Sequence, residues 1–253
     1  MNIVIIGSGN VAAVFGRRLV KAGHTIQQIV SRNAATATEL AYEWNTESAN
    51  YFSVIHKDAD VYIIAVPDKA IAEVAKDIQL PNDKIIVHTA ASVEMNTIAG
   101  ITQNYGVFYP LQSITSNISE EVQIPIFIEA SNDKTKTILE SLAISMGALT
   151  PQYAGFDKRI KLHLSAVLVN NFTNYLYTLA QDFMEKEGLD FKEMLPIIKN
   201  TTDRLSFDSP KNMQTGPAKR QDLETIARHR DILKTHPQLL QVYNFMTDNI
   251  MMK

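Results

Sequence analysis

Near the N-terminus six residues carry the types and spacing needed to hold a diphosphate: Gly7-Ser8-Gly9-Asn10-Val11-Ala12. The first glycine permits a tight turn. The second lets a pyrophosphate approach the backbone, and alanine in place of a third glycine still lets a helix pack close to a strand. The apolar run Asn2–Ile6 precedes the turn and the helically spaced residues 11–21 follow it. That context turns a weak motif into a specific one, with helix N–H groups and a partial positive charge offered to phosphates. Gly7, Ser8, Gly9, Asn10 and Val11 are therefore the candidate diphosphate residues, and Gly16, one turn on, would help the packing. The bland alternative is a bare turn that binds no nucleotide.

The end of the second apolar run selects the dinucleotide. An NAD site places Asp or Glu there for the ribose 2′-hydroxyl. Here residues 26–30 end in Ser31-Arg32-Asn33, with no carboxylate. A serine hydroxyl and a guanidinium suit a 2′-phosphate, which favours NADP(H). The ring end should lie beyond the third and fourth runs, where ligands meet doubly wound sheets. Those loops are Val66-Pro67-Asp68 and Thr89-Ala90-Ala91-Ser92, small enough for a flat ring to lie on backbone. Val66, Pro67 and Ala90 are the candidate contacts. Asp68 and Ser92 read as helix caps, and His88 as a hydrogen-bonded core histidine.

Reduction of C=O or C=N by hydride also needs a proton donor with a pKa near ambient pH. His163 is the candidate, with Asn170 and Asn171 on the same predicted helix. At α-helical spacing His163, Asn170 and Asn174 share one face, with Asn171 beside it. The alternative is a structural polar network between helices or subunits. Thr215-Gly216-Pro217 reads as a helix start with Thr215 as cap. Lys219 fits that reading, and Arg220 is open between it and a basic lip over the cleft.

These residues must be positioned by elements, and the apolar rhythm supplies them. Runs at 2–6, 26–30, 61–66 and 84–89 alternate with helical patterns at 11–21, 34–44 and 69–78. Consecutive apolar residues in the runs predict parallel strands buried on both faces. Strands are expected again at 106–109, 124–128 and 148–152, with a helix at 134–146. From about residue 154 the pattern is helical: 156–186, 191–205, 218–234 and 238–251, with Pro196 in a first turn. The reading is α/β: an N-terminal Rossmann doubly wound sheet over 1–153 and an all-helical domain over 154–253. Residues 164–169 are apolar on almost every side, more than a small helical domain can bury. That predicts a homodimer through the helical domain.

Bulk properties fit a soluble globular chain of 253 residues, 45% hydrophobic and 20% charged. The net charge of −3 provides no global field for a nucleic-acid backbone. The absence of cysteine excludes disulfides, thiolate nucleophiles and cysteine metal sites; no metal site is expected. Neither a membrane span nor a basic leader is evident, so a cytoplasmic protein acting on a small molecule is expected.

Taken together, GSGNVA, SR, AVPD, HTAAS, YPLQS and TGPAKRQD resemble the Rossmann-like family that carries the C-terminal DUF2520 domain, whose members are often labelled NADP oxidoreductases. More distantly the chain is similar to pyrroline-5-carboxylate reductase, ketopantoate reductase and the β-hydroxyacid dehydrogenases. The resemblance implies NADP as cofactor and a helical domain like the C-terminal domain of 6-phosphogluconate dehydrogenase. It supplies fold and cofactor, not substrate. Ala90 departs from the serine often found in relatives, removing a hydroxyl from that loop. The lysine and asparagine of the β-hydroxyacid dehydrogenases do not carry over, because Ser165 stands four residues after Lys161 where that asparagine would be. The leading expectation is an NADP(H)-dependent reductase of a small carbonyl or imine. The rivals are a non-catalytic dinucleotide-binding sensor or scaffold, and an interaction module that binds no dinucleotide.

Overall fold

The computed structural model describes residues 1–148 and 150–252. They divide into two compact units, Met1–Val169 and Asn170–Lys253.

In the first unit the apolar runs become a parallel sheet because each has two faces to bury. Strand β1 (Asn2–Ile6) sends Ile3 and Ile5 into one apolar layer and Val4 and Ile6 into the other. Strand β4 (Val61–Ile64) divides in the same way, Val61 and Ile63 against Tyr62 and Ile64. Alternate side chains of a strand leave opposite faces, so helices must cover both. Each such burial stabilises the fold by about 1.5–3 kcal/mol. The covering helices include α1 (Asn10–Lys21), α2 (Ala34–Trp44) and α3 (Ile71–Asp77). The remaining strands are β2 (Thr25–Val30), β3 (Glu47–Ala49), β5 (Ile85–His88), β6 (Asn104–Pro110), β7 (Ile126–Ala130) and β8 (Gln152–Tyr153).

The sheet runs β3-β2-β1-β4-β5-β6-β7-β8. Strands β1 to β6 are mutually parallel, β7 is antiparallel to β6, and β8 is parallel to β7. This is the expected doubly wound sheet, with its order reversing at β1. Strand β3 has only three residues, without an apolar run to announce it. The strand expected over 148–152 includes Leu149, which lies outside the described residues; β8 takes up its end. Helix α4 (Asp133–Ser145) is capped by Asn132, whose side chain accepts the Thr135 N–H at 2.9 Å. Gly16 serves a different contact from the one expected: a Cβ there would sit 2.2 Å from the Trp44 ring, so it lets α2 close on α1.

Helix α5 (Phe156–Ala166) is followed by a π-helical segment, Val167–Phe172, and then by α6 (Thr173–Lys186). The wider i→i+5 turn breaks α-helical phase, so the expected stripe of His163, Asn170 and Asn174 at α spacing is not maintained. In the second unit α7 (Leu195–Asp203) places Pro196 in its first turn. The helix expected over 218–234 is interrupted: α8 (Pro217–Arg220) ends at Gln221, a non-glycine residue at φ +55°, and α9 (Leu223–Ile232) restarts with Asp222 as cap. Helix α10 (Pro237–Met251) follows. A polar network joins α9 to α10 through His229 Nδ1 and the Tyr243 hydroxyl at 2.9 Å.

Candidate functional site

The two glycines of the turn stand in opposite surroundings. Gly7 has φ +116°, and a Cβ on it would lie 2.2 Å from the Ala65 carbonyl oxygen at the end of β4. Only glycine fits where two strand ends approach this closely. Gly9 is the opposite case: a Cβ there would meet nothing within 4 Å. It is exposed, at φ −82° and ψ −174°, and serves as the N-cap of α1 without a side-chain cap. The space beside Gly9 at the N-terminus of α1 is thus clear of protein atoms, and a helix start of this kind offers unpaired first-turn N–H groups to an anion. The Asn10 side chain is engaged elsewhere, donating to the Ile114 carbonyl at 3.2 Å and clipping the loop after β6 to α1.

At the end of β2 three hydroxyls converge. Ser8 Oγ lies 2.8 Å from Ser31 Oγ and 2.6 Å from Thr36 Oγ1. Asn33 caps α2 by accepting the Thr36 N–H. Arg32 is exposed and its guanidinium stands 3.6 Å from Glu73, a contact of little energetic weight at an exposed position. Ser31 and Arg32 thus stand where sequence spacing put them. Thr36 was missed by sequence reasoning; its signal is its place in the first turn of α2, beyond the Asn33 cap.

Beyond β4, β5 and β6 a second group assembles. Val66 is half-buried, Pro67 exposed, and Ala90 buried. Asp68 caps no helix, nor does Ser92: the Ser92 hydroxyl donates to the Asp68 carboxylate, joining the loops after β4 and β5. His88 is fully buried and its Nδ1 accepts the Ala90 N–H at 3.2 Å. Burial first, and the Arg159 guanidinium second, push its pKa down to about 4, so the imidazole is neutral near pH 7. That agrees with a core histidine.

Arg159, from α5, is fully buried and was invisible as a site residue in the sequence. Its guanidinium donates to Glu129 on β7 at 2.5 Å, to the Ala91 carbonyl at 3.2 Å and to the Val93 carbonyl at 2.7 Å. One side chain therefore fixes the loop after β5. His163, four residues further along α5, places Nδ1 3.2 Å from the Tyr109 hydroxyl at the end of β6. Burial first, and the Asp68 carboxylate second, raise the Tyr109 phenol, with Arg159 opposing. Asn170 and Asn171 are exposed and belong to the second unit, whereas His163 belongs to the first.

Two family models match the chain. Residues 124–250 match DUF2520, described as a domain of unknown function, and residues 2–92 match the family described as NADP oxidoreductase coenzyme F420-dependent. The chain belongs to the DUF2520 family. A solved structure from Bacteroides fragilis, whose name assigns it provisionally to the NADP oxidoreductases, is 34% identical; the match covers 100% of this chain and 98% of that one, with a TM-score of 0.92. More distant structures share the fold. A reductive aminase of Aspergillus terreus, solved with NADPH and ethyl-5-oxohexanoate, is 17% identical over 98% of this chain and 92% of its own, TM-score 0.73. A 1-pyrroline-5-carboxylate reductase of Streptococcus pyogenes is 15% identical over 100% and 99%, TM-score 0.62. None of the curated proteins matches this chain.

The DUF2520 match begins before β7, so Glu129, Arg159 and His163 fall inside it while the glycine turn and Tyr109 do not. Within the second unit, the DUF2520 segment 215–222 starts α8 with Gly216 at φ +102° as N-cap; Thr215 makes no cap hydrogen bond. Lys219 lines an open cavity of about 620 Å³ with Pro210, Lys211, Gln214 and Ile250. Among the described residues no His/Asp/Glu group could hold a metal, and no helix is long and apolar enough to cross a membrane.

Proposed function

We propose that this chain is a cytoplasmic NADP(H)-dependent oxidoreductase that reduces a small carbonyl or imine compound by hydride transfer. The observation that carries the reading is the side-chain-free space at Gly9, at the first turn of α1, with the hydroxyls of Ser8, Ser31 and Thr36 gathered at the end of β2. Gly7, Ser8, Gly9, Asn10 and Val11 hold the diphosphate through backbone amides. Ser31 and Arg32, joined by Thr36, take the 2′-phosphate, for which Arg32 needs only to leave its weak contact with Glu73. Val66, Pro67 and Ala90 line the nicotinamide. NADPH, when bound, supplies the hydride. His163 serves proton delivery, and Asn170 and Asn171 the polar groups of the substrate. The likeness to proteins solved with NADPH supports this cofactor.

We also propose a homodimer formed through the helical residues. Leu164, Leu168 and Val169 are 60%, 52% and 75% exposed, an apolar stretch on successive turns that a second copy would cover.

Parallel titrations with NADPH and NADH, followed by nicotinamide fluorescence, test the cofactor assignment. A charge-assisted contact of about 1.5–3 kcal/mol gives NADPH an advantage of about ten- to a hundredfold, which Arg32→Gln removes while NADH binding stays the same. Equal affinity of the wild type for both cofactors refutes the 2′-phosphate assignment. NADPH binding with no turnover of any carbonyl or imine favours the sensor reading instead.

A further inference from the structure

At the C-terminal end of β6 a buried phenol meets a solvent-facing imidazole. The Tyr109 hydroxyl is 3.2 Å from His163 Nδ1; Tyr109 is 7% exposed, and His163 lies at the surface. We infer that Tyr109 is the catalytic residue that protonates the reduced substrate, and that His163 resupplies it with a proton from solvent. The inference rests on the reductase reading above and deepens it, since that reading gives proton delivery to His163 alone.

Three observations support the order of the relay. Tyr109 packs in one apolar cluster with Ala91 and Val107, against the loop assigned to the nicotinamide. A donor there is sheltered from water, whereas the imidazole is open to it. The groups facing Tyr109 are Asp68 from the loop after β4, and Arg159 and His163 from α5. Burial first, and the Asp68 carboxylate second, raise the phenol, so it keeps its proton until hydride addition leaves a heteroatom more basic than phenolate. The other histidine nearby, His88, is sealed and neutral, with Nδ1 already engaged, so it brings no proton in from solvent.

When hydride reaches the carbon of C=O or neutral C=N, the π-bond electron pair passes to the heteroatom. That atom takes the phenolic proton of Tyr109. The phenolate takes a proton from His163 Nδ1, and the imidazole recovers one from water. One bulk proton is consumed per hydride. A permanently charged iminium needs no such proton, because its reduction ends with hydride addition.

Three probes separate these cases: ethyl pyruvate, 3,4-dihydroisoquinoline and N-methyl-3,4-dihydroisoquinolinium. Tyr109→Phe is expected to slow the two neutral substrates by about a hundredfold or more, while the iminium rate changes by no more than about twofold and NADPH affinity is kept. His163→Gln slows the neutral substrates, and imidazole added to the buffer restores part of the rate. In the cofactor-free protein, the ¹⁵N signal of His163 Nδ1 moves in Tyr109→Phe. Unchanged rates in Tyr109→Phe, or equal loss on neutral and iminium probes, overturn the relay. A wild type that binds NADPH and reduces none of the probes also overturns it and leaves the cofactor assignment standing. Failure to bind NADPH defeats the reading beneath both.

Discussion

Replacing Gly9 by alanine separates cofactor binding from folding more sharply than any other single change in this chain. The backbone there is at φ −82° and ψ −174°, extended geometry that any residue adopts, and the added methyl meets no protein atom within 4 Å. The fold therefore loses nothing. Lower entropy of the unfolded chain stabilises the variant by about 0.4–1 kcal/mol. The methyl does occupy the clear space beside the first turn of α1, and it pushes a diphosphate off the amides there. Losing one charge-assisted hydrogen bond of about 1.5–3 kcal/mol weakens NADPH binding by about ten- to a hundredfold. Gly7→Ala is the counterpart: at φ +116° and 2.2 Å from the Ala65 oxygen, its methyl forces the backbone to move. Strain of that kind costs about 1–3 kcal/mol, so stability and binding fall together. Urea denaturation and NADPH fluorescence titration of the two variants side by side give both quantities. Gly9→Ala with wild-type affinity, or with the stability loss of Gly7→Ala, refutes the diphosphate assignment.

Three further outcomes follow from the same structure. Arg159→Met leaves the Glu129 carboxylate and two loop carbonyls without their buried partner, and urea unfolding should show a loss of about 3–5 kcal/mol; a loss below about 1 kcal/mol would mean the ion pair is not what holds the loop. His88 has a folded pKa of about 4 against an ordinary 6.5, so between those values the unfolded chain binds more protons. Stability contributed by its neutrality is full above about pH 6.5 and declines as pH falls toward 4, by about 3 kcal/mol in all, and His88→Gln should remove that part of the slope. An identical pH dependence in the variant contradicts the sealed imidazole. Finally, light scattering should find a dimer for the wild type and a monomer for Val169→Asp; a wild-type monomer at micromolar concentration removes the proposed interface.

Most of the sheet was legible because its causes are local. Residues 3–6 and 61–64 are apolar at successive positions, and only a strand covered on both faces buries them all. The glycine turn was legible as a motif between a strand and a helix, although the demand on Gly7 comes partly from the Ala65 carbonyl at the end of β4, far along the chain. Helix ends were less so. Nothing in residues 218–234 announced that Gln221 would turn left-handed, or in residues 164–172 that the helix would widen to a π turn. Asp68 and Ser92 looked like caps and instead bond to each other, a pairing across 24 residues that local pattern does not encode.

What the sequence determined by itself was the kind of protein: alternating apolar runs and helical stripes, with a glycine turn between the first strand and its helix and a second strand ending in Ser31-Arg32 rather than a carboxylate. What only the tertiary structure decided was which side chains act together. Arg159 carried no site signal in the sequence, and folding buries it against Glu129, 30 residues away. Tyr109 stood in the sequence only as the end of an expected strand, and folding brings it to His163, 54 residues on. Periodicity reports which face of an element is covered, because that depends on the element alone. The partner of a polar atom depends on distances between elements, and these exist only once the core has closed.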